Sequence, residues 1–331
     1  MLSASCYCFI GIYPNRCSLF HRTIMRNLSL LLFLPISLFS NAIFAMDCSK
    51  ATTVTEKNIC SSSQLLQLDA VLNKDYQAHI KQQDKVVAKQ QQLAWLKERD
   101  LCQDDVCLSN SMINRIKALS GSGNVSVIKG ASEQWDFILS VAGCNDDKSY
   151  PTCEGAGALD IFKKDRGELF QRIAMENIFI ELDTKGKATT NLIEMYGDNN
   201  SGLVIEDINF DNHDDIALRN GNSGGYGGPS YDIYLFDVAK QQFRINASLT
   251  ELASTNLGLF GVDKKTKTIT TFTKSGCCWH QSSTYQLAND KPVLIEEVTE
   301  AYTADGESVV LTTREWVNGK WKVTEKTEKA E

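Results

Sequence analysis

Residues 203–220 read LVIEDINFDNHDDIALRN, a run of alternating apolar residues, a burst of acidic and amide side chains, and a second apolar run. Asp207, Asn209, Asp211 and Asp215 fall at positions 1, 3, 5 and 9 of a calcium loop, with the carbonyl of His213 at position 7. Within DINFDNHDD no basic side chain relieves the repulsion apart from the mostly neutral His213, so a bound Ca2+, which takes about six to eight oxygen ligands, resolves it. Asn212, where a calcium loop has glycine, tolerates the left-handed conformation. Position 12 is Leu218 where a helix-loop-helix site has a bidentate Glu, and the residues entering it are IAL. The loop therefore feeds a β-strand, with Asp214 or an outside oxygen completing the shell. The plainer alternative is an Asp/Asn-rich β-turn without metal.

The surroundings agree with a β reading. WDFILSV, LDIFKK, LFQRIAM, IFIELD, YDIYLFD, FRINASL, TITTFTK, STYQLAN, PVLIEEV, VVLTTREWV and KWKVTEK alternate with period two, and turn signals such as KDRGE, DTKGK and VNGK separate them. Short strands about ten residues apart predict an all-β antiparallel domain over 127–331, a sandwich or propeller-like, with the sandwich favoured. Upstream the period changes. From Ser61 to Leu119, Leu65, Leu68, Leu72, Tyr76 and Ile80 share one helical face, Leu93, Trp95 and Leu96 begin a second stripe, and a third helix starts at Ser109. The chain thus reads as α+β in two domains: a small disulfide-stapled helical domain over 46–119, a flexible link SGSGNVS over 120–126, and the β domain.

Residues 1–45 read as a leader and signal peptide. Met25-Arg26-Asn27, then LSLLLFLPISLF and NAIFA, give a charged region, an apolar region and a small-residue end, so translation is expected to start at Met25 and cleavage to follow Ala45. The apolar run is too short for a permanent membrane span. Export to the periplasm is the expectation. Cleavage removes three arginines and no acidic residue, which takes the formal charge from −7 to −10. Such an acidic chain lacks the basic face that nucleic acid demands and favours a cationic partner. Of eleven cysteines, Cys48, Cys60, Cys102, Cys107, Cys144, Cys153, Cys277 and Cys278 remain, an even number that reads as disulfides, four in each domain. Connectivity stays open: the first four allow three pairings, and Cys277 and Cys278 join each other or reach Cys144 and Cys153.

No catalytic constellation emerges, so an enzyme is not expected. Cys277, Cys278 and His280 in SGCCWHQSS invite a thiolate or zinc reading, but oxidised cysteines suit an exported chain better, and no further zinc ligands accompany them. Paired carboxylates for glycoside hydrolysis are not singled out. The loop NGNSGGYGGPSYDIYLFD is more informative. Five glycines between Gly221 and Gly228 leave no core to bury, and Ser223, Tyr226 and Tyr231 supply contact area and hydroxyls for a partner. In the plainer reading, Tyr226 and Tyr231 pack on the sheet.

DCSKATTVTEKNIC, LLQLDAVLNKDY and WLKERDLCQDDVCL resemble the N-terminal domain of the LprI-type lysozyme inhibitors, with its paired-cysteine start, L-x-x-L-D helix and W-x-x-x-R-D-x-C-x-x-x-x-C close. Residues 126–325 resemble periplasmic immunity proteins against peptidoglycan-hydrolase effectors of type IV secretion, related in fold to invertebrate-type lysozyme inhibitors. DINFDNHDDIAL, GGYGGPSYDIYLFD and SGCCWHQSSTYQL carry that likeness. The resemblance implies calcium at Asp207, Asn209, Asp211, His213 and Asp215, and an inhibitory surface of protruding loops. Physical argument assigns that surface to Ser223 through Tyr231, with His280 as a lesser contact. The expected partner is a lysozyme-like peptidoglycan hydrolase whose catalytic carboxylates the loop occludes. The alternative is a calcium-stabilised envelope module that binds glycan or another envelope protein without inhibition.

Overall fold

Four helices open the described chain, and polar side chains set their ends. The computed structural model describes residues 46–145, 147–194 and 200–330; the expected leader and signal peptide at 1–45 lie outside the described residues. α1 (Val54–Ser61) starts at a capping box in which Thr53 and Glu56 satisfy each other's backbone N–H. Ser62 caps α2 (Ser63–Gln82), Asp84 caps α3 (Lys85–Arg99) and Asp104 caps α4 (Asp105–Ser120). Gly121, at φ 74°, closes α4 in the left-handed conformation. Disulfides join Cys48 to Cys60 and Cys102 to Cys107.

Two expectations change here. α1 is a separate helix, and α3 buries only Ala88 and Arg99, so its Leu93 lies half exposed instead of lining a stripe. The real apolar seam joins α2 to α4: Leu65, Leu68, Val71 and Leu72 meet Leu108, Met112 and Ile116. No helix among the described residues is long and apolar enough to cross a membrane.

The described residues of the β region form three antiparallel sheets, none closed into a barrel. The first is β1 (Asn124–Ile128), β2 (Trp135–Cys144), β3 (Thr152–Lys163) and β4 (Leu169–Glu181), paired in chain order. The second is β5 (Leu203–Glu206), β6 (Asp215–Gly221), β7 (Ser230–Asp237) and β8 (Gln242–Ile245). After α5 (Ala247–Thr255) come β9 (Gly261–Asp263), β10 (Thr268–Ser275), β11 (Trp279–Ala288), β12 (Lys291–Tyr302), β13 (Ser308–Val317) and β14 (Lys320–Lys329), the third sheet. LFQRIAM and IFIELD are one strand, β4, which stays paired to β3 past two register shifts. FRINASL is not all strand: Asn246 caps α5 there.

Period-two alternation stacks these layers. Along β2, Phe137, Leu139 and Val141 point toward the second sheet, where they meet Ile216, Leu218 and Phe236, while Ile138 points toward the helices. The second sheet's other face, with Tyr231, Ile233 and Leu235, packs on α5 and Ile269 of β10. Trp135 lies at the hub of the first interface, its ring centroid 4.8 to 5.4 Å from those of Phe170, Phe236 and Phe243.

The helices complete their core with the first sheet. Val125, Ile138 and Phe162 share one buried cluster with Ile59, Leu68 and Ile116. Buried Gln67 of α2 donates to Asp136 Oδ2 at 3.0 Å and to the Arg166 carbonyl at 2.8 Å. Arg172 of β4 holds Asp160 through two bonds of 2.6 and 2.7 Å and reaches Asp75 of α2 with its third nitrogen. The segment 120–126, expected as a flexible link, is ordered by these contacts: Asn124 to Ser126 pair with Leu139 to Val141 as part of β1.

Candidate calcium loop and partner surface

The acidic loop joins β5 to β6, and backbone N–H groups meet its carboxylates. Asp207 accepts from the Asp211 and Asn212 amides at 2.9 and 3.0 Å, which curls the chain, and Asp211 accepts from the His213 amide at 2.9 Å. Asn212 takes the left-handed conformation the sequence foretells, and Phe210 takes it as well. Asp214 turns away from the loop to accept from Ser132 Oγ at 2.5 Å. The His213 ring stacks on Phe236, 5.6 Å between centroids.

Asp215 is fully buried, and its two oxygens accept from the amides of Ile208, Asn209 and Phe236 at 2.9, 3.3 and 2.8 Å. Burial pushes its carboxyl up to about 7, against the pull of those amides. Among the described residues no three Asp, Glu, His or Cys side chains gather as a metal cluster. One atom does fit a hard cation: the Oδ1 of Asn209 is buried without a hydrogen-bond partner.

The glycine-rich loop is folded, not loose. Gly224 and Gly228 bond amide to carbonyl at 2.9 Å, Gly225 donates to the Asn256 carbonyl at 2.9 Å, and Ser223 donates its amide to Ser230 Oγ at 3.1 Å. A Cβ on Gly224 would stand 2.5 Å from the Pro229 carbonyl, so the turn requires glycine there. Tyr226 sits at φ 57° with its side chain 66 % exposed, and its hydroxyl accepts from the Gly276 amide at 2.7 Å. Lys274 Nζ lies 5.1 Å from the centre of that ring. Gly276 belongs to the β10–β11 turn, which also carries the exposed Cys277–Cys278 disulfide.

Ser223, Tyr226, Lys274 and the vicinal disulfide therefore share one end of the molecule. Between Tyr226 and Lys274 on one side and Leu257 to Leu259 on the other opens a cleft of about 460 Å³ that Arg219 and Asn222 also line, whereas Ser223 lines a separate recess with Ser230 and Asp232. Lys274 is the contact that sequence reading missed; its place beside Tyr226 depends on a pairing 48 residues away in chain order, which no local pattern shows.

Tyr231 corrects the expected contact set. It is fully buried in the core between the second sheet and α5, its hydroxyl donating to the Ser201 carbonyl at 3.0 Å, so it presents nothing to a partner. His280 is half buried on β11, its ring 5.9 Å from Phe272 and its Nδ1 3.8 Å from Glu300. The remaining disulfide joins Cys144 to Cys153 across β2 and β3, which closes the eight cysteines into four local bridges.

A second cleft, of about 500 Å³, lies in the helical region between α2 and α3. Asp69 reaches into it half buried, and burial raises its carboxyl to about 6. A pKa raised on folding stabilises the fold fully below the unfolded value of about 4, and that stability is lost as pH rises through about 6. Discounted for partial exposure, the loss is about 1–2 kcal/mol. Urea titrations at pH 4 and pH 7 should show it, and Asp69→Asn should flatten the difference.

Residues 47–123 match the family model described as Lysozyme inhibitor LprI. No curated protein matches the chain. Among solved structures, "Structure of a Xanthomonas Type IV Secretion System related protein" is similar at 26 % identity, covering 60 % of this chain and 98 % of its own, with a TM-score of 0.47.

Proposed function

We propose that this chain is an exported inhibitor or immunity protein of a lysozyme-like peptidoglycan hydrolase. The LprI match over residues 47–123 carries the reading. Four disulfides support an oxidising compartment and so a periplasmic site of action. The blocking surface is the glycine-rich loop with Ser223 and Tyr226, backed by Lys274. A glycoside hydrolase cleft holds two carboxyl groups; an ammonium group beside a phenol is chemistry suited to meeting them. His280 of β11 pairs opposite Lys274 of β10.

Binding kinetics test this reading against a panel of lysozymes and any cell-wall hydrolase encoded beside the gene. A one-to-one complex is expected, with an association rate that falls as salt rises, since the formal charge of −10 left after cleavage at Ala45 steers a basic partner. Binding to cell-wall polymer with no hydrolase bound would instead favour the envelope-module reading.

Calcium at Asp207, Asn209, Asp211, the His213 carbonyl and Asp215 belongs to the same proposal. The unpartnered Asn209 oxygen supports it, and bound calcium would fix the base from which β6 leads into the glycine-rich loop. At free calcium about tenfold above its dissociation constant, stability should rise by about 1.4 kcal/mol. Denaturant midpoints with calcium and with chelator measure this. Asp211→Ala should abolish the difference.

A further inference from the structure

Among the described residues, the helical cleft between α2 and α3 holds one charged group without a hydrogen-bond or ion-pair partner. Lys50 pairs with Asp47 at 2.8 Å, Arg99 with Asp100 at 2.7 Å, and Glu56 accepts from the Thr52 and Thr53 amides at 2.7 and 2.9 Å. Asp69 lines the same cleft and makes no hydrogen bond or ion pair within the described residues. The charge of Arg99 acts on Asp69, but its Nε and Nη2 are turned to Asp100 and its guanidinium lies 5.4 Å from the centre of the Trp95 ring. Tyr76 and Trp95 supply aromatic walls, and the Trp95 indole N–H is already donated to Ser111 at 3.2 Å, which fixes that ring.

We propose that this cleft is a second binding site, which takes a guanidinium or ammonium side chain of the partner protein onto Asp69 between Tyr76 and Trp95. A half-buried, unpaired carboxylate is costly in a poorly solvated cleft, and an incoming cation offsets that cost while the aromatic rings favour it over a neutral group. The formal charge of −10 expected after cleavage adds long-range attraction for a basic partner. The inference rests on the inhibitor reading for the identity of the partner, but not for the chemistry of the cleft.

The test is a nuclear magnetic resonance titration of the purified protein with N-acetyl-arginine methylamide, read at the Trp95 indole and the Asp69 carboxyl. Saturable shifts at Trp95 are expected, together with a fall of the Asp69 pKa below its starting value of about 6. The matching citrulline amide, neutral and of similar shape, should bind at least about tenfold more weakly. Asp69→Asn should remove the preference. Equal responses to the two probes, or no response at Trp95, would overturn the proposal, and that comparison uses the unaltered protein. Arginine-probe binding without any hydrolase complex would keep the cleft and remove the inhibitor reading. A hydrolase complex with no probe preference would do the reverse.

Discussion

Replacing Arg172 with Met should cost about 3–5 kcal/mol of stability at neutral pH, since it breaks a buried ion pair by removing one side. Asp160 is fully buried and Asp75 nearly so, and burial raises both carboxyls even with the guanidinium beside them. Without Arg172 two carboxylates from different layers, one on α2 and one on β3, face each other with only the more distant charge of Lys74, which makes no ion pair with either, to offset them. The sign of the pH effect separates this from simple loss of packing. Carboxyls whose folded pKa is raised stabilise the fold while protonated and lose that stability as pH rises through the folded value, so acid should partly rescue the variant. Arg172→Lys should recover only part, because one ammonium cannot hold Asp160 through two bonds and reach Asp75 as well. Urea midpoints for the three proteins at pH 5 and pH 7.5 check this; a loss below about 1 kcal/mol, the worth of an exposed pair, would count against it.

If the proposed blocking surface holds, truncating Tyr226 to Ala should weaken binding to the hydrolase by about 1–3 kcal/mol, roughly 5- to 150-fold in dissociation constant, while leaving the fold intact. The side chain is exposed and its backbone is held by the bonds among Gly224, Gly225, Gly228 and Asn256, so little core is lost. What disappears is the central aromatic of the surface and the acceptor for the Gly276 amide. Tyr226→Phe separates the two roles: ring contact survives and the hydroxyl does not. Calorimetric titration of the variants against the enzyme reads the change, and equal affinity for Tyr226→Ala would remove the loop from the interface.

Much of the layering was legible because local periodicity carries it. Leu65, Leu68 and Leu72 announced the buried face of α2, and the alternation in WDFILSV separates Ile138 from Phe137 and Leu139 as the two cores require. The same rule held an unused signal. In YDIYLFD, Tyr231 shares parity with Ile233 and Leu235, both buried on one face, so alternation itself sends Tyr231 inward and away from a partner. α1 also had its mark, Thr53 and Glu56 three residues apart, and α5 had Asn246 as a cap, hidden because FRI before it continues a strand. Other features had no local trace. Asp75 meets Arg172 across 97 residues, and Asp215 gains an amide from Phe236 on the next strand, so neither the layer contact nor the burial of the loop's last acid is written in neighbouring residues.

The most direct measurement is turnover: clearing of a peptidoglycan suspension by each enzyme of the lysozyme and cell-wall hydrolase panel, titrated with this protein in calcium and in chelator. The inhibitor account predicts stoichiometric loss of activity that weakens on chelation as the DINFDNHDD loop loses its ion. Full turnover across the panel at excess protein would contradict it.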